Sequence, residues 1–269
     1  MKSTLRADPS EAIAFPSAEG DSLFVRSAAR AMQVLSAFHH CNGPLSLTEI
    51  ARRAGLDRSA SQRLVHTLMK LGYIRRSLDD RGYLPGLRLL DHTLDVLRLD
   101  PVVQRATPVL LELRKTIRER VDLSLFDGHR LIYALRMQSK RETFFATLVG
   151  HSVPLFCTAG GRAVLSALTD EEVRGLLSHA ELPAYTPQTL TEPDTILARV
   201  RAARHDGHAV VVDEFVRGEV ALGVPVRCDG VPVAAIHIGA STHEWTPEDF
   251  TRTAAPVAME AAREIMRSL

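Results

Sequence analysis

The sequence predicts an α+β chain of two domains: a small winged helix-turn-helix, then a larger α/β domain, joined by linker helices. Three observations predict it. Charge is uneven: residues 24–90 hold 11 Lys and Arg against 4 Asp and Glu, while residues 91–269 hold 20 against 24. A helix-capping box and a Gly-containing turn separate two amphipathic segments between residues 46 and 71. Beyond residue 120, strand-like β-branched runs alternate with helical periodicities. The boundaries that follow are an arm over 1–22, the winged module over 23–86, a linker helix over 87–100 and the larger domain over 101–269.

The arm mixes Pro, Ser and carboxylates without an apolar centre, so it reads as disordered rather than as a signal peptide. Ser27 can cap a first helix to about His39, with Ala28, Met32, Leu35 and Phe38 on one face. Gly43-Pro44 ends it. Ser46-Leu47-Thr48-Glu49 is the capping box of a second helix buried through Ile50 and Ala54. Gly55 makes the turn, and Asp57 caps a third helix over about 58–71. There Ala60, Leu64, Leu68 and Leu71 form the apolar stripe. Arg58, Ser59, Ser61, Gln62, Arg63 and His66 form the polar face, whose donors and acceptors suit phosphates and base edges in a major groove. The plain alternative for three such helices is a bundle with a polar outside. The next residues favour a wing: Tyr73-Ile74-Arg75-Arg76 and Gly82-Tyr83-Leu84 read as a hairpin carrying Arg75, Arg76 and Arg81 beside the third helix. Asp79 and Asp80 at its tip would repel DNA unless they only shape the turn.

Leu87, Leu90, Leu94 and Leu97 recur at helical spacing, and Asp100-Pro101 opens a further helix. VDLSLF and LIYAL around Asp127-Gly128 read as a hairpin. Later strands are predicted at 209–212, 220–226 and 231–238, and helices at 159–167, 170–177, 193–205 and from Pro247 toward Met266. The expected layering has helices on one side of the strands. Thr158-Ala159-Gly160-Gly161 opens a helix with uncovered amides, which makes an anion site at its positive end. The alternative is a Thr cap with glycines for close packing.

No apolar run is long enough to span a membrane, and a formal charge of +1 excludes a uniformly basic coat. Cys41, Cys157 and Cys228 show no C-x-x-C spacing, so neither a disulfide framework nor a zinc site is expected, and a reducing cytoplasm suits them. A metal site from His151, Cys157, Cys228 and His237 has no supporting ligand spacing. The nucleophile elbow, the phosphate loop, the dinucleotide fingerprint and H-E-x-x-H are missing. Asp213-Glu214 would point to opposite faces of a strand and could not act on one substrate. No catalytic residue, metal or cofactor is expected.

RSAARAMQVLSAF, LSLTEIARRAGLDRSASQRLVHTLMKLGYIRR and GYLPGLRLL resemble the DNA-binding half of the IclR family of bacterial transcriptional regulators. Arg63, Leu64, Leu68, Gly72, Tyr83 and Gly86 occupy the matching places. GHSVPLFCTAGGRAVLSAL, GHAVVVDEFVRGEVALGVPV and VPVAAIHIGAS resemble later segments of the same family. The resemblance implies a GAF/PAS-like effector-binding domain, dimers or dimers of dimers, and a double-stranded, palindromic operator. It further implies that the loop at Ala159, Gly160 and Gly161 receives the carboxylate of a small organic acid. Where the family often carries acidic, Cys and Ser residues, this chain has Val211, Ala221, His237 and Gly239. The implied pocket is therefore more apolar, with Phe144, Phe145 and Leu148 as its lid and His237 either as its polar anchor or as a buried strand histidine bonded to a backbone carbonyl. That suits a bulky, aromatic or branched carboxylate. The competing class is a metabolite-degrading or metal-dependent enzyme with an appended winged helix.

Overall fold

The computed structural model describes residues 20–138 and 149–269. They form two compact units that meet in sequence between Val96 and Leu97.

The N-terminal unit packs α1 (Arg26–Ser36), α2 (Leu47–Ala54) and α3 (Arg58–Lys70) around Val34, Phe38, Ile50, Val65 and Leu68. Val25, not Ser27, stands at the start of α1 and offers no side-chain cap. In α2 the capping box is complete: the Ser46 hydroxyl accepts from Glu49 N–H, and the Glu49 carboxylate accepts from Ser46 N–H. Gly55 takes φ 65°, a left-handed conformation that costs glycine least. The Asp57 carboxylate then caps α3 by accepting from Ala60 N–H at 2.8 Å. Arg53 fixes α2 against α1 by donating to the carbonyls of Ala37 and His39, each at 2.7 Å. β1 (Ile74–Arg76) and β2 (Tyr83–Pro85) form the hairpin, and Tyr83 also exchanges two backbone hydrogen bonds with Leu45 ahead of α2. The wing is thus held to the helices by main chain.

α4 (Arg88–Leu99) has no buried residue. Leu87 before it and Leu90, Leu94, Val96 and Leu99 along it are exposed. Near its start, His92 stacks on Tyr73 and takes part in a 2.5 Å hydrogen bond with the phenol.

The C-terminal unit is built on one antiparallel sheet of order β5-β4-β3-β8-β7-β6. Its strands are β3 (Arg120–Phe126), β4 (Leu131–Met137), β5 (Ser152–Val153), β6 (Ala209–Val212), β7 (Glu219–Cys228) and β8 (Val231–Ser241). Successive side chains alternate between the faces. One face of β7 and β8, Val220, Leu222, Val224, Ile236 and Ile238, packs against α5 (Pro101–Ile117) and α9 (Pro247–Arg267). The alanines of α9 at 254, 255, 258, 261 and 262 are buried there. The other face is covered by α6 (Ala159–Ser166), with α7 (Asp170–His179) and α8 (Pro193–Asp206) packed behind it. Helices therefore lie on both faces, not on one. The sheet is buried twice, and fully buried side chains such as Leu222, Ile236 and Phe250 each contribute about 1.5–3 kcal/mol.

Candidate DNA-reading face and ligand cavity

On α3 the residues Arg58, Ser59, Gln62, Arg63 and His66 are exposed together, with Thr67 and Lys70 continuing the row. Ser61 departs from the expected polar face. It is 0% exposed and its hydroxyl has no hydrogen-bond partner, so it cannot reach a groove. Leu71 departs in the other direction: it is exposed, and Val65 takes its expected place in the core. Ala60 and Leu68 are buried as the stripe predicts, and Leu64 packs half-buried against the same core. In the wing, Arg75, Arg76 and Arg81 are exposed. Arg76 lies over the Tyr83 ring and pairs with Asp80 at 3.4 Å, while Arg81 pairs with Asp79 at 3.5 Å. The tip carboxylates thus neutralise two wing arginines locally, and Arg75 carries the unopposed charge nearest the sheet.

In the C-terminal unit, a cavity opens between the sheet and the start of α6. Its lining includes Arg120, Tyr133, Ala159, Val211, Glu219, Ala221 and His237, with the turn at Asp213–Val216 at one side. The centre of a water-sized sphere can range over about 20 Å³ of it, and the whole recess, open to solvent at its mouth, measures about 360 Å³. The smaller figure is room for about one water molecule.

Strand register explains the polar floor. On β3 the residues Arg120, Asp122 and Ser124 face α6, while Val121 and Leu123 face the opposite core. Their cross-strand partners are Gly239 and His237 on β8, and Arg136 and Tyr133 on β4. Glu219, Ala221 and Gly223 continue the same face on β7. Arg120 donates from Nε to Asp122 at 2.8 Å and from Nη1 to Glu219 at 2.7 Å. A Cβ at position 239 would collide with the Arg120 guanidinium, so Gly239 makes room for it, and Gly239 does not line the cavity. Asp122 also faces Arg136 at 3.5 Å. Two buried atoms here, Asp122 Oδ1 and Arg136 Nε, have no hydrogen-bond partner.

His237 is 3% exposed, and its Nε2 lies 2.5 Å from the Ser124 hydroxyl. Burial, together with the positive charges of Arg120 and Arg136, lowers its pKa to about 3, so the ring is neutral. Burial raises the pKa of Tyr133, which stays a protonated phenol 5.3 Å from the imidazole, ring centre to ring centre. Burial also raises the pKa of Asp122, against the pull of Arg120 and Arg136. Burial works to lower the pKa of Arg120, but Glu219 and Asp122 outweigh it and hold it well above the ordinary value.

The two glycines at the head of α6 serve close packing. The Thr158 hydroxyl accepts from Gly161 N–H at 3.1 Å. A Cβ at Gly160 would strike the His237 ring, and one at Gly161 would strike the Leu155 backbone. Of the amides expected to form an anion site, the Gly161 N–H is taken by the Thr158 cap, and Gly160 lies close against the His237 ring. Of the expected pocket residues, Ala159, Val211, Ala221 and His237 come together around the cavity. Phe144, Phe145 and Leu148 lie outside the described residues. Asp213 and Glu214 are not on a strand but in the turn after β6, with Asp213 at φ 56°. Asp213 accepts from Gly218 N–H, and Glu214 forms a buried bidentate pair with Arg162, both bonds 2.6 Å. Among the described residues no three His, Cys, Asp or Glu side chains gather as a metal site requires.

Arg120, Ser124, Tyr133 and Glu219 were not anticipated. Their signal was present: a strand reading polar-apolar-polar, whose polar face would ordinarily meet water, is covered here by a helix.

Comparison with known proteins places both units. Residues 27–78 match the IclR helix-turn-helix domain, and residues 94–267 match the C-terminal domain of bacterial IclR transcriptional regulators. The chain is 30% identical over 254 residues to the Pca regulon regulatory protein of Pseudomonas putida, covering 93% of this chain and 86% of that one. A transcriptional regulator from Rhodococcus sp. RHA1 superposes with a TM-score of 0.78 at 28% identity, covering 91% and 98% of the two chains. An IclR homologue from Microbacterium hydrocarbonoxydans, solved with 4-hydroxybenzoate, shares the fold with a TM-score of 0.73 at 23% identity, covering 90% and 98%. With both domains matched in order along the chain, the protein belongs to the IclR family of DNA-binding bacterial transcriptional regulators.

Proposed function

We propose that this regulator acts in the cytoplasm as a homodimer or dimer of dimers, and that a small organic acid sets its affinity for a palindromic operator. The recognition helices of two protomers enter successive major grooves, with Arg58, Ser59, Gln62, Arg63 and His66 facing base edges and phosphates. Arg75, Arg76 and Arg81 of the wing contact the backbone alongside. The exposed apolar row Leu87, Leu90 and Leu94 supports pairing of protomers through the linker helix.

The single observation that carries the effector reading is the buried cavity floored by Arg120, Tyr133 and His237. It combines a cation, a phenol and a neutral imidazole beside the apolar Ala159, Val211 and Ala221, a mixture suited to an aromatic or branched acid. The 4-hydroxybenzoate held by the Microbacterium protein is an acid of that class. Ligand binding then shifts the population competent for DNA.

The enzyme reading has one feature in its favour, the Ser124–His237 pair. Ser124 is 0% exposed, and Asp122 is committed to Arg120 rather than to the imidazole, so the arrangement lacks both an accessible nucleophile and the carboxylate that would orient its base. The test is paired. Anisotropy on the DNA upstream of the gene should show salt-steep binding weakened by Arg63→Ala. A thermal-shift screen of aromatic and branched acids should give a hit that changes this binding without being consumed. Multiple-turnover loss of the hit would establish the enzyme instead.

A further inference from the structure

We propose that Glu219 is a built-in competitor for the effector: its carboxylate occupies Arg120 until a ligand carboxylate takes its place. The inference rests on the acid-binding reading of the cavity.

In this state two of the five guanidinium N–H groups of Arg120 hold carboxylates, and the side chain is 18% exposed where it lines the cavity. Its Nε is bonded to Asp122, its Nη1 to Glu219, and its Nη2 lies against Gly239. An incoming acid can take the Nη1 edge, which a carboxylate already holds at the cavity, only by displacing a carboxylate. Asp122 cannot leave: its side chain is 0% exposed in the middle of β3 and is also tied to Arg136. Glu219 can. It is the first residue of β7, follows Gly218 at φ 76°, and its side chain is 19% exposed at the edge of the cavity. A swing about its own side-chain bonds takes it to water.

Volume and charge point the same way. Room for little more than a water does not seat a benzoate against Arg120, so placing one there requires something to withdraw. Among the described lining side chains, Arg120 stands with three carboxylates, Asp213, Glu214 and Glu219, of which Glu214 is neutralised by Arg162. An acid entering beside Glu219 would add an anion to this set. An exchange keeps two carboxylates on Arg120 throughout, Asp122 and either Glu219 or the ligand, and moves the displaced one to solvent. The device makes the site selective: a neutral ligand of the same shape gains nothing from Arg120 while Glu219 remains on it.

The test uses full-length Glu219→Gln, which keeps the shape and removes the charge, with benzoate and 4-hydroxybenzoate as probes and the matching amides as neutral controls. Calorimetry should show the dissociation constant of the acids falling at least about tenfold in the variant, with the amides changing less than about threefold. Glu219→Asp, whose shorter arm loosens the hold on Arg120 without uncharging it, should give an intermediate gain. If Glu219→Gln does not fold, that variant decides alone. Acids that bind both proteins equally, or the variant more weakly, overturn the exchange. If Arg120→Gln then still abolishes acid binding while remaining folded, the cavity reading survives that failure. Acids that bind neither wild type nor Glu219→Gln overturn both.

Discussion

Acidifying the protein should unfold its C-terminal unit through one residue, His237. In the native state the imidazole has a pKa of about 3 because burial and the neighbouring arginines penalise its charge; in the unfolded chain the value is 6.5. Between those values the unfolded state binds a proton that the native state refuses. This stability term is therefore complete above pH 6.5 and is lost as pH falls toward 3. Each pH unit in that window is worth about 1.4 kcal/mol. At pH 5 the loss from the plateau is about 2 kcal/mol, which for a unit of this size lowers the melting temperature by roughly 4–8 °C. The assay is built in. Trp245 is the one tryptophan of the chain and donates from its indole to Glu119 at 3.1 Å in the C-terminal unit, so its fluorescence follows that unit alone. Urea melts at pH 7 and pH 5 should be run on wild type and on His237→Gln, which keeps a partner for Ser124 but does not titrate. Asp122, with its pKa raised by burial, contributes a term of opposite sign that is common to both proteins. The difference between them isolates His237. Equal pH dependence in the two proteins would refute the claim that His237 is buried and neutral.

Three further outcomes are expected. Gly160→Ala should cost about 1–3 kcal/mol by driving a methyl group into the His237 ring, and His237→Ala should relieve most of it, giving a large coupling energy in a double-mutant cycle read by urea melts. Arg162→Met should cost about 3–5 kcal/mol in the same assay, because it leaves Glu214 charged and unpaired in the interior. On α3, Ser61→Ala should leave operator affinity unchanged and stability equal or higher, since its buried hydroxyl has no partner. Arg63→Ala should instead weaken binding and reduce the slope of log affinity against log salt by about 1 if it contacts a phosphate.

The N-terminal unit was the more legible half because its signals are local. The Ser46–Glu49 box, Gly55 and the Asp57 cap each sit within a few residues of the geometry they produce. Where that reading slipped, at Ser61 and Leu71, the reason is tertiary. A 3.6-residue period permits two adjacent stripes, and the packing of α1 against α3 selects the one through Val65. The cavity was less legible because its floor comes from four strands far apart in sequence. Arg120 and Glu219 are 99 residues apart and meet only through β8 between them. His237 is legible as a polar residue on an otherwise apolar strand, but its partner Ser124 is 113 residues away and cannot be named without the register.

The buried pair between Arg162 and Glu214 also bears on how such a site can change. Glu214 is fastened at several points: its carboxylate to Arg162 and to Leu190 N–H, its carbonyl to the hydroxyls of Thr186 and Thr189. Its neighbours Phe215 and Val216 line the cavity. The turn is therefore pinned by one residue while the next two face the cavity. Substitutions at 215 and 216 can reshape the chamber without letting the backbone wander, so new ligands come within reach of single mutations. The anchor itself is locked against stepwise drift, because either half altered alone strands a charge inside the protein.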